Sequence, residues 1–233
     1  KTFLMVYDAR RKVSRGERVV ILVPSIKPAK YIQGWAGEEV SCITPESAGA
    51  INPPFDVLLV DEAQNFISEE GFSLMDSLVK DGMEGGSWRI YGDFQNQLSP
   101  SLQMDKDVFD MLVECTGNNS VFPLKRNVRN TPQIVRWLEK TCGARIGKSE
   151  AKGAGPEVEV MLNNEFRRLL TGKEYHSVYG EIHKEEVVVL YPGQLSNEDR
   201  EGIHTEFKNV CELSTIDAFR GLEIKHNLCK GPG

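Results

Sequence analysis

The segment FDVLLVDEAQ, residues 55–64, joins an unbroken apolar run to two adjacent carboxylates. A short, continuous apolar run is typical of a strand that is buried on both faces of a parallel sheet. The carboxylates suit two tasks in nucleotide hydrolysis, with Asp61 holding the water shell of Mg²⁺ and Glu62 activating the attacking water. A bare Asp-Glu pair more often caps a following helix. The apolar strand before the pair and Ala63-Gln64 after it favour the catalytic interpretation.

The first half of the chain alternates between helix and strand patterns. Apolar spacing predicts helices over residues 3–13 and 71–83. Apolar runs typical of buried strands occur at 19–23, 57–60 and 88–91. This order predicts an α/β fold with a parallel sheet covered on both faces, whose ligands bind beyond the carboxyl ends of the strands. The polar clusters that follow these strands are 24–25, 61–64 and 92–97.

The second half repeats this alternation. A helix is predicted over residues 132–142, and a second, smaller α/β unit is expected, with its boundary near 98–105. The apolar runs that predict its strands lie at 158–162, 186–191 and 210–214. The stretch 147–156 has the composition of a linker but follows the first helix of this unit, so it is expected to be a surface loop.

Composition limits the class of protein without fixing its function. The 233 residues are 40% hydrophobic and 27% charged, as in a globular protein of one large domain or two modest ones. The net charge of −6 gives no overall basic field, so nucleic-acid binding would depend on a local strip of donors and cations. Five scattered cysteines lack zinc-ligand or CxxC spacing, and no apolar run has the length of a membrane helix. We therefore expect a cytoplasmic protein without membrane contact.

The motif DEAQ at residues 61–64 resembles the Walker B motif, or motif II, of superfamily 1 helicases of the UvrD/Rep-like type. The opening Lys1-Thr2, followed by a predicted helix, resembles the last two residues of a Walker A loop. The resemblance implies that Lys1 neutralises the β- and γ-phosphates of ATP and that Thr2 and Asp61 ligate Mg²⁺. A Lys-Thr pair alone is uninformative, and its weight comes from the helix, strand and DEAQ that follow in the family's order.

The segment YGDFQNQ, residues 91–97, resembles motif III, in which a Gln senses the γ-phosphate. Gln97 is the candidate, with Gln95 as its competitor. Gln97 lies one residue further from the Gly-Asp pair than in the family pattern, and no Tyr or Trp follows it to stack on a base. This departure weakens the expectation of base stacking through this loop.

The segment LKRNVRNT, residues 124–131, resembles motif IV. The resemblance implies that Arg129 contacts the γ-phosphate from the second domain, whereas Arg126 is expected to be a solvated neighbour. A guanidinium suits this role because its charge is permanent and its planar fork stabilises charge on the transferring phosphoryl group. Without motif II, a basic turn at the start of a helix would be an equal interpretation.

The remaining motifs concern nucleic acid and ribose. STIDAFRGLE, residues 214–223, resembles motif V, with a surface helix start as the plain alternative. The resemblance implies that Thr215 donates to a nucleic-acid phosphate, that Gly221 permits close backbone approach, and that Glu223 accepts from the nucleotide ribose. Weaker matches to motifs Ia and Ib imply phosphate contacts by Pro24, Ser25 and Thr44, each of which is otherwise a loop or helix-cap residue.

Together these motifs resemble the ATP-hydrolysing core of a superfamily 1 helicase or translocase. The implied fold is a P-loop NTPase with two RecA-like domains of mainly parallel sheets, at 1–103 and, incomplete, at 104–233. The implied cofactors are ATP and Mg²⁺, and the implied partner of the monomer is single-stranded DNA or RNA. The chain is expected to start inside Walker A and to end after motif V. Without the glycine-rich loop and the motif VI arginine, it is expected to bind ATP poorly and hydrolyse little.

Two other interpretations stay open. A P-loop module could use ATP as a conformational switch, or bind nucleic acid, without processive unwinding. The missing aromatic residue after motif III favours that module, whereas Glu62 opposes it because a pure binding module needs no water-activating carboxylate. An inactive structural remnant would follow if the missing ends were absent from the native protein.

Overall fold

The structure is a computed structural model that describes residues 1–94, 104–116, 121–143, 146–151, 157–158, 188–191, 195–209 and 211–215. The chain divides into two compact units, Lys1–Phe122 and Pro123–Gly233. Within the described ranges, no helix combines the length and the apolar character that a membrane crossing requires.

The first unit is built on a four-stranded parallel sheet. Its strands are β1 (Val19–Leu22), β2 (Ser41–Ile43), β3 (Val57–Asp61) and β4 (Ser87–Tyr91), and its helices are α1 (Thr2–Val13), α2 (Ile26–Ala36), α3 (Glu69–Leu78), α4 (Gly82–Gly85) and α5 (Lys106–Cys115). The strand order is β2-β1-β3-β4, and each neighbouring pair is parallel. The predicted α/β fold with a parallel sheet is therefore confirmed.

Strands β1 and β3 form the centre of the sheet, and all of their residues are buried. Successive side chains of a strand point to opposite faces of its sheet, so both strands supply both faces. Val20 and Leu58 pack with residues of α3 and α5, whereas Ile21 and Leu59 pack with residues of α1 and α2. Each aliphatic side chain fully buried in this way contributes about 1.5–3 kcal/mol. Two covered faces explain why these strands are continuously apolar.

Helix α5 belongs to the first unit. Its Val108 and Leu112 are buried in the same core cluster as residues of β3, and Asp105 N donates to Ile67 O at 2.9 Å. The sequence places the boundary at 98–105, but the chain divides after Phe122. The boundary lies later because α5 is amphipathic and buries its apolar face in the core of the first unit.

The helix predicted over 71–83 is interrupted. Helix α3 ends at Leu78, and Asp81 takes a left-handed conformation with φ 65° before α4 begins at Gly82. The Asp76 carboxylate holds this turn by accepting from Met83 N at 2.8 Å. The apolar spacing continues through the break because Met83 is fully buried in the same core as α3.

The second unit contains two described pairs of parallel strands. Strand β5 (Arg126–Asn127) pairs with β6 (Lys148–Ser149), strand β7 (Val188–Tyr191) pairs with β8 (Glu212–Thr215), and the helices are α6 (Pro132–Cys142) and α7 (Asn197–Phe207). The predicted helix over 132–142 is confirmed. Strand β6 lies within 147–156, so the expected surface loop is in part a short strand. Most of the predicted strand at 158–162 lies outside the described residues.

Candidate active site

Polar residues of the first unit meet at one edge of its sheet. Ser25 follows β1, Asp61 and Glu62 stand at the end of β3, and Asp93 follows β4. Because these strands are parallel neighbours, their carboxyl ends lie at the same edge. The structure therefore gathers the described parts of the three polar clusters that the sequence places at strand ends.

The start of helix α1 meets the end of strand β3. Thr2 Oγ1 donates to Asp61 Oδ2 at 2.9 Å, although 59 positions separate the two residues. Asp61 is only 3% exposed. Lys1, the residue before α1, accepts from Met5 N through its carbonyl at 3.1 Å, which fixes the first helical turn. The structure thus brings the two predicted magnesium ligands, Thr2 and Asp61, into direct contact.

The chemistry of this pair fits a magnesium ion. A hydroxyl oxygen and a carboxylate oxygen are hard ligands of the kind that Mg²⁺ prefers. Burial raises the pKa of the Asp61 carboxyl, because a charged carboxylate in a low-dielectric site lacks the solvation that a cation would restore. Among the described residues there is no cluster of three or more His, Cys, Asp or Glu side chains.

The raised pKa of Asp61 predicts a pH dependence of stability. The folded state holds the Asp61 proton more tightly than the unfolded state, so this group stabilises the fold less as the pH rises from its ordinary pKa through its raised pKa. We expect Asp61→Asn, which carries no charge, to gain in melting temperature relative to the wild-type protein as the pH rises from about 4 to about 8 without Mg²⁺. Thermal unfolding across this range measures the difference, with the exposed Asp110→Asn as control. A difference that stays constant with pH would contradict the prediction.

Glu62 is held in an uncommon backbone conformation. Its φ of 50° and ψ of 46° lie in the left-handed region, and its side chain is largely buried, at 7% exposure. Three hydrogen bonds fix this conformation: Glu62 N donates to Asp61 Oδ1 at 3.1 Å, and Glu62 O accepts from Asn65 N at 3.0 Å and from Asn65 Nδ2 at 2.7 Å. Non-glycine residues held in this region cluster at functional sites.

Gln64 connects the end of β3 to the residues that follow β4. Its Nε2 donates to Glu62 Oε2 at 2.6 Å, and its Oε1 accepts from Asp93 N at 3.2 Å. The residue is 1% exposed. A Cβ added to Gly92 would lie 3.0 Å from Gln64 Oε1 and 2.8 Å from the Phe94 ring, so glycine permits this close approach. The DEAQ motif predicts the residue type at position 64 but not the partners of its side chain, so no role beyond the motif could be assigned to Gln64 from the sequence.

Arg129 stands on a turn that Asn127 organises. Asn127 Oδ1 accepts from Arg129 N at 3.2 Å and from Asn130 N at 3.0 Å, while Asn127 Nδ2 donates to Ile146 O at 3.2 Å. The Arg129 side chain is exposed. Arg126 forms an exposed ion pair with Glu150 at 3.3 Å, in agreement with its expected solvated position. The Arg-Asn-Val-Arg sequence therefore forms an ordered turn within the second unit.

The predicted nucleic-acid contacts differ in their surroundings. Ser25 is half-buried and precedes α2, next to the half-buried Pro24, and Thr215 ends β8. Thr44 is 3% exposed and begins a 3₁₀ helix, where its backbone N donates to Ser47 Oγ at 2.9 Å. This geometry favours the helix-cap interpretation of Thr44.

Three predicted site residues lie outside the described residues: Gln97, Gly221 and Glu223. Gln95, the competitor of Gln97, lies outside them as well. Comparison with known proteins adds no assignment, since no family model matches the chain and no curated protein matches it.

Proposed function

We propose that the chain is the ATP-hydrolysing core of a superfamily 1 helicase or translocase of the UvrD/Rep-like type. In this proposal the first unit is a RecA-like P-loop domain and the second belongs to its partner domain. The observation that carries the proposal is the hydrogen bond of 2.9 Å from Thr2 Oγ1 to Asp61 Oδ2. This bond joins the two residues that the resemblance predicts as Mg²⁺ ligands. The Lys1-Thr2 pair is uninformative by itself, but its contact with Asp61 supports the Walker A interpretation.

The residues at this edge of the sheet divide the work of hydrolysis. Bound Mg·ATP would supply the phosphoryl group and a cation that neutralises its charge. Thr2 and Asp61 would hold the ion through their side-chain oxygens, and Lys1 would neutralise phosphate charge. Glu62 would accept a proton from the attacking water at its carboxylate, while Gln64 keeps that carboxylate oriented through the bond of 2.6 Å.

The resemblance assigns the remaining roles. Gln97 and Arg129 would contact the γ-phosphate, and Gly221 and Glu223 would approach the nucleotide. Ser25 and Thr215, which are half-buried, would contact the phosphates of single-stranded nucleic acid through their hydroxyls. Pro24 has no N–H to donate, so it would contact the strand only through its ring. Thr44 is left out of this set because its backbone and side chain are engaged in the helix cap.

The test is ATP hydrolysis by the full natural protein, with and without single-stranded DNA and with and without Mg²⁺. We expect turnover that requires Mg²⁺ and rises when DNA is added. Asp61→Asn should lose this turnover because it removes the carboxylate that would hold the ion, whereas Asp110→Asn, an exposed substitution on α5, should keep it.

Other outcomes would select other functions. Tight binding of ATP without DNA-dependent turnover would sink the translocase proposal and favour the ATP-switch module. Absence of both nucleotide binding and turnover in the full natural protein would favour the inactive remnant.

A further inference from the structure

Helices α1 and α2 carry an aromatic surface whose side chains have no role in the site described above. Phe3 and Tyr7 of α1 are 71% and 68% exposed, whereas Tyr31 and Trp35 of α2 are half-buried. The centroid of the Trp35 ring lies 4.9 Å from that of Phe3 and 4.5 Å from that of Tyr31. Tyr7 follows Phe3 by one helical turn, on the same side of α1. These four rings, the aromatic face, form a surface that is open to solvent.

Cations stand beside the aromatic face. Arg11 follows Tyr7 by four positions, and Lys27 precedes Tyr31 by four positions, so both lie in line with the rings along their helices. Both side chains are exposed. Asp8 is the acidic residue of α1. It is 7% exposed and accepts from Arg89 Nη1 at 2.9 Å. Helix α2 contains no Asp or Glu. The two helices therefore present rings and positive charge without exposed negative charge.

The charge of the chain is distributed unevenly around these helices. Residues 1–40, which include the exposed Glu38 and Glu39 just after α2, contain eight Lys or Arg and four Asp or Glu, a net charge of +4. The whole chain carries −6, so the remaining residues carry −10. A local positive field of this kind attracts a polyanion, even though the chain as a whole is acidic.

We propose that the aromatic face binds the bases of single-stranded nucleic acid by stacking, while Arg11 and Lys27 contact its phosphates. Flat rings stack on any base, and cations beside them follow the backbone, which is the combination that single-strand binding surfaces use. A purely apolar protein partner would leave the positive charge of these helices without a complement. The inference rests on the proposed function for the identity of the ligand and adds a contact surface beyond the motifs.

The test measures binding of a fluorescein-labelled oligothymidylate to the full natural protein by anisotropy, without nucleotide. Tyr7→Ala should weaken binding about fivefold or more, because it removes one stacking partner, whereas Tyr7→Phe keeps the ring and should bind like the wild-type protein. Phe122→Ala, which removes a ring that is 83% exposed outside the aromatic face, is the matched control. Unlabelled oligothymidylate should also quench tryptophan fluorescence, and Trp35→Phe should lose most of that quenching.

Several results would overturn the inference. Equal binding by Tyr7→Ala and the wild-type protein would do so, as would equal affinity for an abasic deoxyribose-phosphate strand, which offers charge without bases. A shift of Tyr7→Ala from dimer to monomer without a change in oligonucleotide binding would assign the face to a second copy of the chain. If DNA-stimulated hydrolysis persists while Tyr7 has no effect, only this inference fails. If no oligonucleotide binds, the single-strand part of the proposed function fails as well.

Discussion

Glu62→Gln is expected to lower the rate of ATP hydrolysis by at least about a hundredfold while ATP binding is retained, since general-base catalysis contributes factors of this size. The substituted amide keeps an oxygen that can accept from Gln64 Nε2, so the hydrogen bond of 2.6 Å and the local fold should survive. The lesion is therefore confined to proton acceptance.

Single-turnover hydrolysis and binding of a fluorescent ATP analogue separate the two effects in the full natural protein. Glu70→Gln provides the control. It is the same chemical change at a nearby position, and Glu70 is exposed on α3. A variant at position 62 that hydrolyses ATP at a rate close to the wild-type rate would remove Glu62 from the mechanism and leave the acidic pair as a structural feature.

Gln64→Leu is expected to lower the hydrolysis rate about tenfold to a hundredfold, because hydrogen bonds to charged groups contribute about 1.5–3 kcal/mol. Leucine removes both bonds of the bridge, so the buried Glu62 carboxylate loses its donor and Asp93 N loses its acceptor. ATP binding should change less than the rate, since Gln64 contacts neither Thr2 nor Asp61 through the bonds of this bridge.

Gln64→Glu makes the role of this bridge measurable. It preserves size and the acceptor for Asp93 N, but it replaces the Nε2 donor with a second carboxylate that repels that of Glu62. We expect its single-turnover hydrolysis rate to fall at least as far as that of Gln64→Leu. A rate close to that of the wild-type protein would indicate that the donor to Glu62 has no part in hydrolysis.

The strands of the first unit could be predicted from sequence because of where they lie. Strands β1 and β3 are covered on both faces, so they appear in the sequence as continuous apolar runs. Few other elements of this length give such a run. Strand β2 escaped prediction because it has three residues at the edge of the sheet and only Ile43 is buried. Helix α2 escaped because Pro28 and Gly34 interrupt its pattern, although proline is tolerated in a first helical turn.

The candidate site was predictable in its residue types and only partly in its connections. DEAQ indicated Asp61 and Glu62, and Thr2 was paired with Asp61 through the resemblance alone. The bridge from Gln64 to Asp93 could not be foreseen, because it spans 29 positions and depends on the register of β3 against β4. Strands β5 and β6 could not be foreseen either, since two residues carry no periodicity.

At position 62, the residue that best fits the left-handed backbone differs from the residue that the proposed chemistry requires. A side chain with a Cβ is strained at φ 50°, and glycine or asparagine would relax that strain. Neither can accept a proton as a carboxylate does. Rounds of selection that reward heat resistance alone would therefore drift towards Gly or Asn at this position. Under the proposed function, laboratory evolution of this chain would have to score ATP turnover at every round, because selection for stability alone discards the proposed general base.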